Sequence, residues 1–311
     1  YKSHMHNSNQ TTISSEINFE GIGLHSGLKS QVKLLPAKEN SGIVFKRIDL
    51  KDNNIIEANF KNVSSAKLCT TLSNSEGASV STVEHLMAAF YITGVDNVIV
   101  EIDNPEVPIM DGSSKDFIKL IKKSGLKKQF SKRKYLKILK KIELNVDGKK
   151  ISIEPNNELK VSFQLSYKNN IIGDQKNSVR FGENDLIDIY SSRTFCLFED
   201  IEKIKEQGFA KGGSLDNALV VKNNEILNEN GLRNKKEFVN HKILDLAGDF
   251  LLSGYRILGA VNCFQGGHYL SNIFLKEIFK DSTNFMIMAD ENDFISKKKF
   301  KTSINKIAVN A

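Results

Sequence analysis

The stretch Phe238-Val239-Asn240-His241-Lys242-Ile243-Leu244-Asp245-Leu246-Ala247-Gly248-Asp249 carries a polar and an apolar periodicity at once. On a helix of 3.6 residues per turn His241, Asp245 and Asp249 fall at i, i+4 and i+8. One edge therefore presents an imidazole and two carboxylates while Val239, Leu244, Leu246 and Leu251 turn elsewhere. A second pattern, Thr82-Val83-Glu84-His85-Leu86-Met87-Ala88-Ala89-Phe90, sets a Glu directly before a His at the start of an otherwise apolar helix. Each pattern runs into a glycine and then a strand: Gly94 before Val98 to Ile102, and Gly254 before Ile257 to Phe264, with roughly one more helical turn in the second copy. The parallel predicts an α+β protein of two similar domains, with a site where their histidine-bearing helices meet.

Working outward, Leu28, Ser30, Val32 and Leu34 lead with period two toward Pro36, and Gly42 to Arg47 forms a further strand signal. Asp111-Gly112-Ser113 reads as a turn and N-cap for a helix that ends near Gly125. In the second half, strand patterns cover Leu136 to Val146, Lys149 to Glu154 and Lys160 to Tyr167, followed by a helix near Glu183 to Tyr190. The expected division is an N-terminal domain over 9–129 and a C-terminal domain over 130–311, parted near Phe130. Residues 1–8 contain Ser-His-Met and read as an expression remnant, so His4 and His6 are set aside.

The 311 residues carry a formal charge of +7, but Lys122 to Lys141 alone holds ten Lys/Arg and no acid, which leaves the remainder net acidic. Such a run reads as a solvated linker or edge; with only Phe130 and Tyr135 interleaved, it makes a poor nucleic-acid surface. Three cysteines without C-x-x-C spacing read as reduced thiols of a cytoplasmic protein. The N-terminus is too polar for a secretory signal, and no run approaches the ~18 apolar residues that a spanning helix needs.

Four histidines remain: His25, His85, His241 and His268. A lone histidine is usually structural, and these differ in their company. Two histidines and an aspartate from the two helical patterns make an open three-ligand set of the kind catalytic zinc uses, with a fourth position for water. Glu84 adjoins a ligand as the natural base. His268, in Gly266-Gly267-His268, is the candidate acid, since a carboxylate such as Asp249 would favour its charged form. Lys242 could stabilise an oxyanion or pair with an anionic substrate group. Gly21-Ile22-Gly23-Leu24-His25-Ser26-Gly27 has no helix after it and is no dinucleotide fingerprint. Between about 195 and 221, Phe195, the amphipathic pattern Ile201 to Gln207, Gly212-Gly213 and the strand Ala218 to Val221 make a small β-α-β insertion with enough apolar character to line a binding channel.

Many ordered blocks resemble the UDP-3-O-acyl-N-acetylglucosamine deacetylases, zinc enzymes of bacterial lipid A synthesis. They are Gly21 to Gly27, Leu68-Cys69-Thr70, Ser81 to Ala89, Gly94 to Ile102, Pro108 to Ser113, Ser192 to Phe195, Gly212-Gly213-Ser214, Asn228 to Leu232, Phe238 to Asp249 and Gly267-His268. The resemblance implies two sheet-plus-helix domains stacked as a β-α-α-β sandwich with the site between them. It implies a Zn2+ site, with Fe2+ as the alternative in the cell, held by His85, His241 and Asp245. Glu84 would be the base and His268 the acid supported by Asp249, with oxyanion help from Thr194 and substrate contact from Lys242. The implied reaction hydrolyses the N-acetyl group of a UDP-3-O-(3-hydroxyacyl)-N-acetylglucosamine, releasing acetate in the committed step of the pathway, in a cytoplasmic monomer. Tyr167 would stack on the uracil. Phe195, Ile201, Ala210, Gly213, Ser214, Asn217, Val220, His25 and Cys69 would contact the substrate, the acyl chain lying in the insertion. Ser166 and Ser271 depart from the family pattern near the head-group site. A zinc amidase acting on another anionic acylated substrate is the competing reading; a zinc peptidase of the H-E-x-x-H type is disfavoured because that motif is missing.

Overall fold

The computed structural model describes residues 9–182 and 184–289. The segment 1–8, Glu183 and the end of the C-terminal half from residue 290 lie outside the described residues. The first half runs β1 (Asn9–Ile13), β2 (Ile17–Ile22), β3 (Lys29–Pro36), β4 (Ile43–Arg47), β5 (Ile55–Glu57), the short strands β6 (Val63–Ser65), β7 (Thr71–Ser73) and β8 (Ser79–Ser81), α1 (Glu84–Thr93), β9 (Val98–Ile102), α2 (Lys115–Ser124) and β10 (Leu126–Lys132). The second runs β11 (Tyr135–Ile138), β12 (Ile142–Val146), β13 (Lys149–Glu154), β14 (Leu159–Ser166), β15 (Asp174–Arg180), α3 (Ile187–Tyr190), β16 (Phe195–Leu197), α4 (Ile201–Glu206), β17 (Leu219–Lys222), β18 (Glu225–Ile226), α5 (Glu237–Leu251), β19 (Arg256–Phe264), α6 (His268–Lys280) and β20 (Phe285–Met288).

The halves repeat one topology. The first sheet has the order β2-β3-β9-β4-β5, with β9 antiparallel to β3 and parallel to β4. In the second sheet β12-β13-β19-β14-β15 pair in the same senses, with β19 antiparallel to β13 and parallel to β14. The β1–β10 pair has its counterpart in β11–β20, α1 in α5 and α2 in α6. What differs is the insertion: β6 to β8 in the first half, α3 to β18 in the second. The chain passes between halves after Lys132. Phe130 lies in mid-strand, because the pairing of β10 with β1 continues to Asn9↔Lys132. The expected strand over Leu136 to Val146 is two, β11 and β12.

Helix α1 is buried from Glu84 to Tyr91, and α5 from Glu237 to Leu251 except at Lys242, so neither has a conventional solvent face. Helices buried on all sides must lie between layers, and these two pack on each other between the sheets. Their spacing is set at Gly248. A Cβ there would stand 2.1 Å from the Glu84 carbonyl oxygen and 3.0 Å from the Ala88 nitrogen. At the other end of α1, Arg256 of β19 donates through Nη1 to the Tyr91 carbonyl (2.7 Å), and Arg133 donates through Nη2 to the Gly94 carbonyl (2.8 Å). Two cations thus close the carbonyl end of the first half's helix, favourably placed against its dipole.

Part of the basic run is held in helix-end positions and ion pairs. Lys122 and Lys123 end α2, Arg133 pairs with Asp96, Lys140 with Asp281, and Lys141 with Glu143 and Glu154. No helix among the described residues is long and apolar enough to cross a membrane.

Gly248→Ala should destabilise the protein by about 1–3 kcal/mol, because the added methyl must push apart two helices already in backbone contact. Urea unfolding of the variant checks this. An unchanged midpoint would show that α1 and α5 do not depend on that approach.

Candidate metal centre

Glu84 and His85 occupy the first turn of α1, whose N-terminus faces the middle of α5. His85, His241 and Asp245 each direct one ligand-type atom into a space where all three lie within 4.8 Å of one another. Asp245 Oδ1 is 3.1 Å from His85 Nε2 and 3.4 Å from His241 Nε2, and the two rings meet edge-on at 4.9 Å between centroids. His241 Nδ1 lies 2.9 Å from the Ser192 carbonyl, which can only accept, so the ring proton sits there and the Nε2 lone pair points at Asp245. Neither that Nε2 nor Asp245 Oδ1 makes a hydrogen bond, although both are buried. Two lone pairs directed at one buried point repel unless a cation lies between them, and the imidazole, imidazole, carboxylate set suits a divalent metal.

Titration behaviour follows from this crowding. Burial pushes the His241 imidazole down to about 4, leaving it neutral as a ligand must be. For Asp245 burial works the other way, yet His241 and His85 hold its carboxyl well below the usual range. Burial opposes charge on His85 too, and Asp245 outweighs it, raising this group. Glu84 is raised, chiefly by burial, against the pull of His268 and His85.

His268 opens α6 and completes the cluster. Its Nδ1 is 2.5 Å from Asp249 Oδ2, and its Nε2 is 3.4 Å from Glu84 Oε1. Burial disfavours its cation, but Asp249 and then Glu84 overcome that and lift the imidazole to about 10. Glu84 and His268 thus flank the three-ligand point as a carboxylate and an imidazolium.

A cavity of about 400 Å³ opens beside them, lined by His25, Tyr167, Thr194, Phe195, Lys242 and His268 among others. A second cavity of about 380 Å³ shares Leu24, His25, Leu68, Thr194 and Phe195 with it and runs into the insertion past Ile201, Ile204, Ala210, Gly213, Ser214, Leu215 and Val220. Three site residues expected from the sequence line neither: Asp249, which lies behind His268, and the expected substrate contacts Asn217 and Cys69. Asn217 is buried, donating to the Gly212 carbonyl and accepting from the Ser214 amide, so it shapes the channel loop from behind. Cys69 is buried too, its sulfur 3.8 Å from the Thr71 hydroxyl, and burial pushes its thiol up to about 12. The other thiols, Cys196 and Cys263, are also free, and burial raises each to about 11.

The glycine-rich segment serves as a docking loop. Gly212 approaches so closely that its Cβ would lie 2.2 Å from the Gly23 carbonyl oxygen, and the Gly212 amide donates to Leu24. His25 Nδ1 accepts from the Ala210 amide, so its Nε2 carries the proton, and that atom is buried without a partner between the two cavities. Sequence reading missed Glu106, which accepts from the amides of His25 and Ser26 and from Thr82 Oγ1. Its one signal was an acid between two prolines, Pro105-Glu106-Val107-Pro108. Thr70, also missed, donates to Asp249 and Glu84. The departures line neither cavity but adjoin residues that do, Tyr167 and Leu270: Gln265 donates to the Ser166 carbonyl, and Ser271 is buried in α6.

A family model described as UDP-3-O-acyl N-acetylglycosamine deacetylase matches residues 10–280. The UDP-3-O-acyl-N-acetylglucosamine deacetylase of Geobacter sp. (strain M21) is 43% identical over 273 residues, covering 87% of this chain and 89% of that protein. The protein of the same name from Legionella pneumophila (strain Corby) is 38% identical over 288 residues, covering 91% and 94%.

Asp249→Asn should bring the His268 imidazole down from about 10 to its ordinary 6.5 or lower, because burial is then opposed mainly by Glu84. The cation would be lost on raising the pH through that lower range. Imidazole NMR titration of metal-stripped protein reads it directly; a pKa unchanged by the substitution would show that Asp249 does not hold the proton on His268.

Proposed function

The chain belongs to the UDP-3-O-acyl-N-acetylglucosamine deacetylase family, from which we infer that it hydrolyses the N-acetyl group of a UDP-3-O-acyl-N-acetylglucosamine, releasing acetate, in lipid A synthesis. The observation that carries the reading is the buried, unpaired His241 Nε2 and Asp245 Oδ1 beside a carboxylate and an imidazolium. We propose Zn2+ on His85, His241 and Asp245, with Fe2+ as the alternative cation. When bound, the metal supplies a Lewis acid that polarises the amide carbonyl and lowers the pKa of water to about 7.

The remaining work belongs to side chains. Glu84 takes the proton of the attacking water. His268, kept protonated by Asp249, gives its proton to the departing nitrogen, so the sugar leaves as an amine rather than an amide anion. The Thr194 hydroxyl and the Lys242 ammonium, both lining the catalytic cavity, stabilise the oxyanion and anionic parts of the substrate. Tyr167 offers a ring in the cavity wall for the uracil, in edge contact with Phe195 at 6.0 Å. The acyl chain occupies the apolar cavity along Ile201, Ala210, Gly213, Ser214 and Val220, entering past Phe195 and His25. The two halves act as two domains with the site between their helices. Three free thiols, two of them buried, suit a reducing compartment, and the reading places the enzyme in the cytoplasm as a monomer.

Acetate should be released from a UDP-linked 3-O-acylated N-acetylglucosamine and should cease on adding chelator. Glu84→Gln and His268→Asn should each lose activity by a factor on the order of 10²–10⁴ while keeping metal. Wild-type turnover in either variant would remove that residue from the proton path.

Chain length gives a second test. Each methylene buried in the channel is worth about 0.8 kcal/mol, so kcat/KM should fall several-fold per methylene removed from the acyl chain. Ile201→Phe should shift the preference to shorter chains by filling the cavity. A flat profile in the wild type would assign the cavity no part in recognition.

A further inference from the structure

Between β6 and β7 the chain makes a tight excursion through Leu68, whose φ of +62° lies in the left-handed region that a leucine rarely adopts. Two residues later comes Thr70, 2% exposed, on neither cavity wall and with no titratable group. Its backbone amide donates to Glu84 Oε2 at 3.2 Å, and its hydroxyl donates to Asp249 Oδ1 at 2.7 Å. Each of these carboxylates turns its other oxygen to His268: Glu84 Oε1 lies 3.4 Å from Nε2 and Asp249 Oδ2 lies 2.5 Å from Nδ1. A closed ring results, running Thr70 amide, Glu84, His268, Asp249, Thr70 hydroxyl.

We propose that Thr70 is a positioning residue that fixes the base and the acid of this site relative to each other, its amide orienting Glu84 and its hydroxyl orienting the Asp249–His268 pair. The inference rests on the roles given above to Glu84 and His268.

Each carboxylate can rotate about its terminal torsion, and that torsion is broad and only weakly restrained. Unless held, Asp249 could turn Oδ2 away from His268 at little cost. A hydroxyl on Oδ1 fixes the plane of the carboxylate, and hence the direction in which the imidazole presents Nε2. The amide does the same for Glu84 Oε1. Because both bonds leave one residue, motion of the base is tied to motion of the acid's support. A hydrogen bond between two buried groups, one of them charged, is also among the stronger kinds. The left-handed conformation at Leu68 is the strain the chain accepts to bring Thr70 inward; such strain concentrates at functional sites. Thr70 acts through other residues and touches no reacting atom itself.

Thr70→Val keeps the shape and the amide and removes only the hydroxyl. It should lower kcat by about 10- to 100-fold, the range expected for losing one charge-assisted hydrogen bond, with KM and metal content unchanged. Thr70→Ser restores the hydroxyl and should stay within about threefold of wild type. Combining Thr70→Val with Asp249→Asn should be no slower than Asp249→Asn alone, because the hydroxyl then has no carboxylate to orient. Multiplying losses in the double variant, a KM-only effect, or wild-type kcat in Thr70→Val would each overturn the proposal. If Thr70→Val does not fold, Thr70→Ser decides it: a tenfold or greater loss with the hydroxyl present overturns the assignment. Glu84→Gln and His268→Asn, measured alongside, separate the two levels. Full activity in those variants defeats the underlying assignment, whereas their inactivity beside a fully active Thr70→Val defeats Thr70 alone.

Discussion

The contact between the Glu84 carbonyl and the Cα of Gly248 is the constraint on which the rest of the site depends. Only a glycine leaves room for the first turn of α1 against the middle of α5. Helices usually pack 8–10 Å apart, with side chains filling the gap. Here the gap is closed at one point, and His85 and Glu84 are thereby brought level with His241, Asp245 and Asp249. The duplicated topology makes this approach natural. Two similar sheets, each carrying a helix on its inner face, bury those helices against each other, the first turn of α1 meeting the middle of α5.

Burying this cluster works against stability unless its charges balance. Three carboxylates and three imidazoles share a space from which water is largely excluded, and every one of the six is less than about a tenth exposed or close to it in its side chain. The pairings sort them by task. Asp249 with His268 makes an ion pair whose proton is held well above neutral pH, suited to an acid. His241 is driven neutral with its lone pair bare, suited to a ligand. Glu84 is raised by burial and so is a stronger base than a surface carboxylate. A divalent cation between His85, His241 and Asp245 would offset the remaining negative charge, and its uptake would then be linked to local stability.

The helical edge of His241, Asp245 and Asp249, the helix-glycine-strand repeat and the β-α-β insertion were legible from spacing, because each shows itself as a period or an order along the chain. The duplicated sheets extend that repeat well beyond the few matching letters that suggested it. Other features are contacts between distant segments and leave no period. Gly248 reads as an ordinary helical glycine, Glu106 as one acid in a loop, and Thr70 as a polar residue after a buried thiol. Asn217 and Cys69 lie in segments that do reach the site while their side chains turn into the protein, a distinction that backbone position alone does not carry. The division expected at Phe130 fell within β10 because the pairing partner, β1, lies at the far end of the sequence.

The central claim is that the two duplicated helices jointly hold one metal ion. Titrating Zn2+ into chelator-stripped protein, with the bound metal counted by elemental analysis, tests it most directly. One tightly bound equivalent per chain is expected in the wild type and in Glu84→Gln, and none in His241→Ala or His85→Ala, each of which removes one helix's contribution. A full equivalent retained by either histidine variant would contradict the account, since the ion would then be held elsewhere than between α1 and α5.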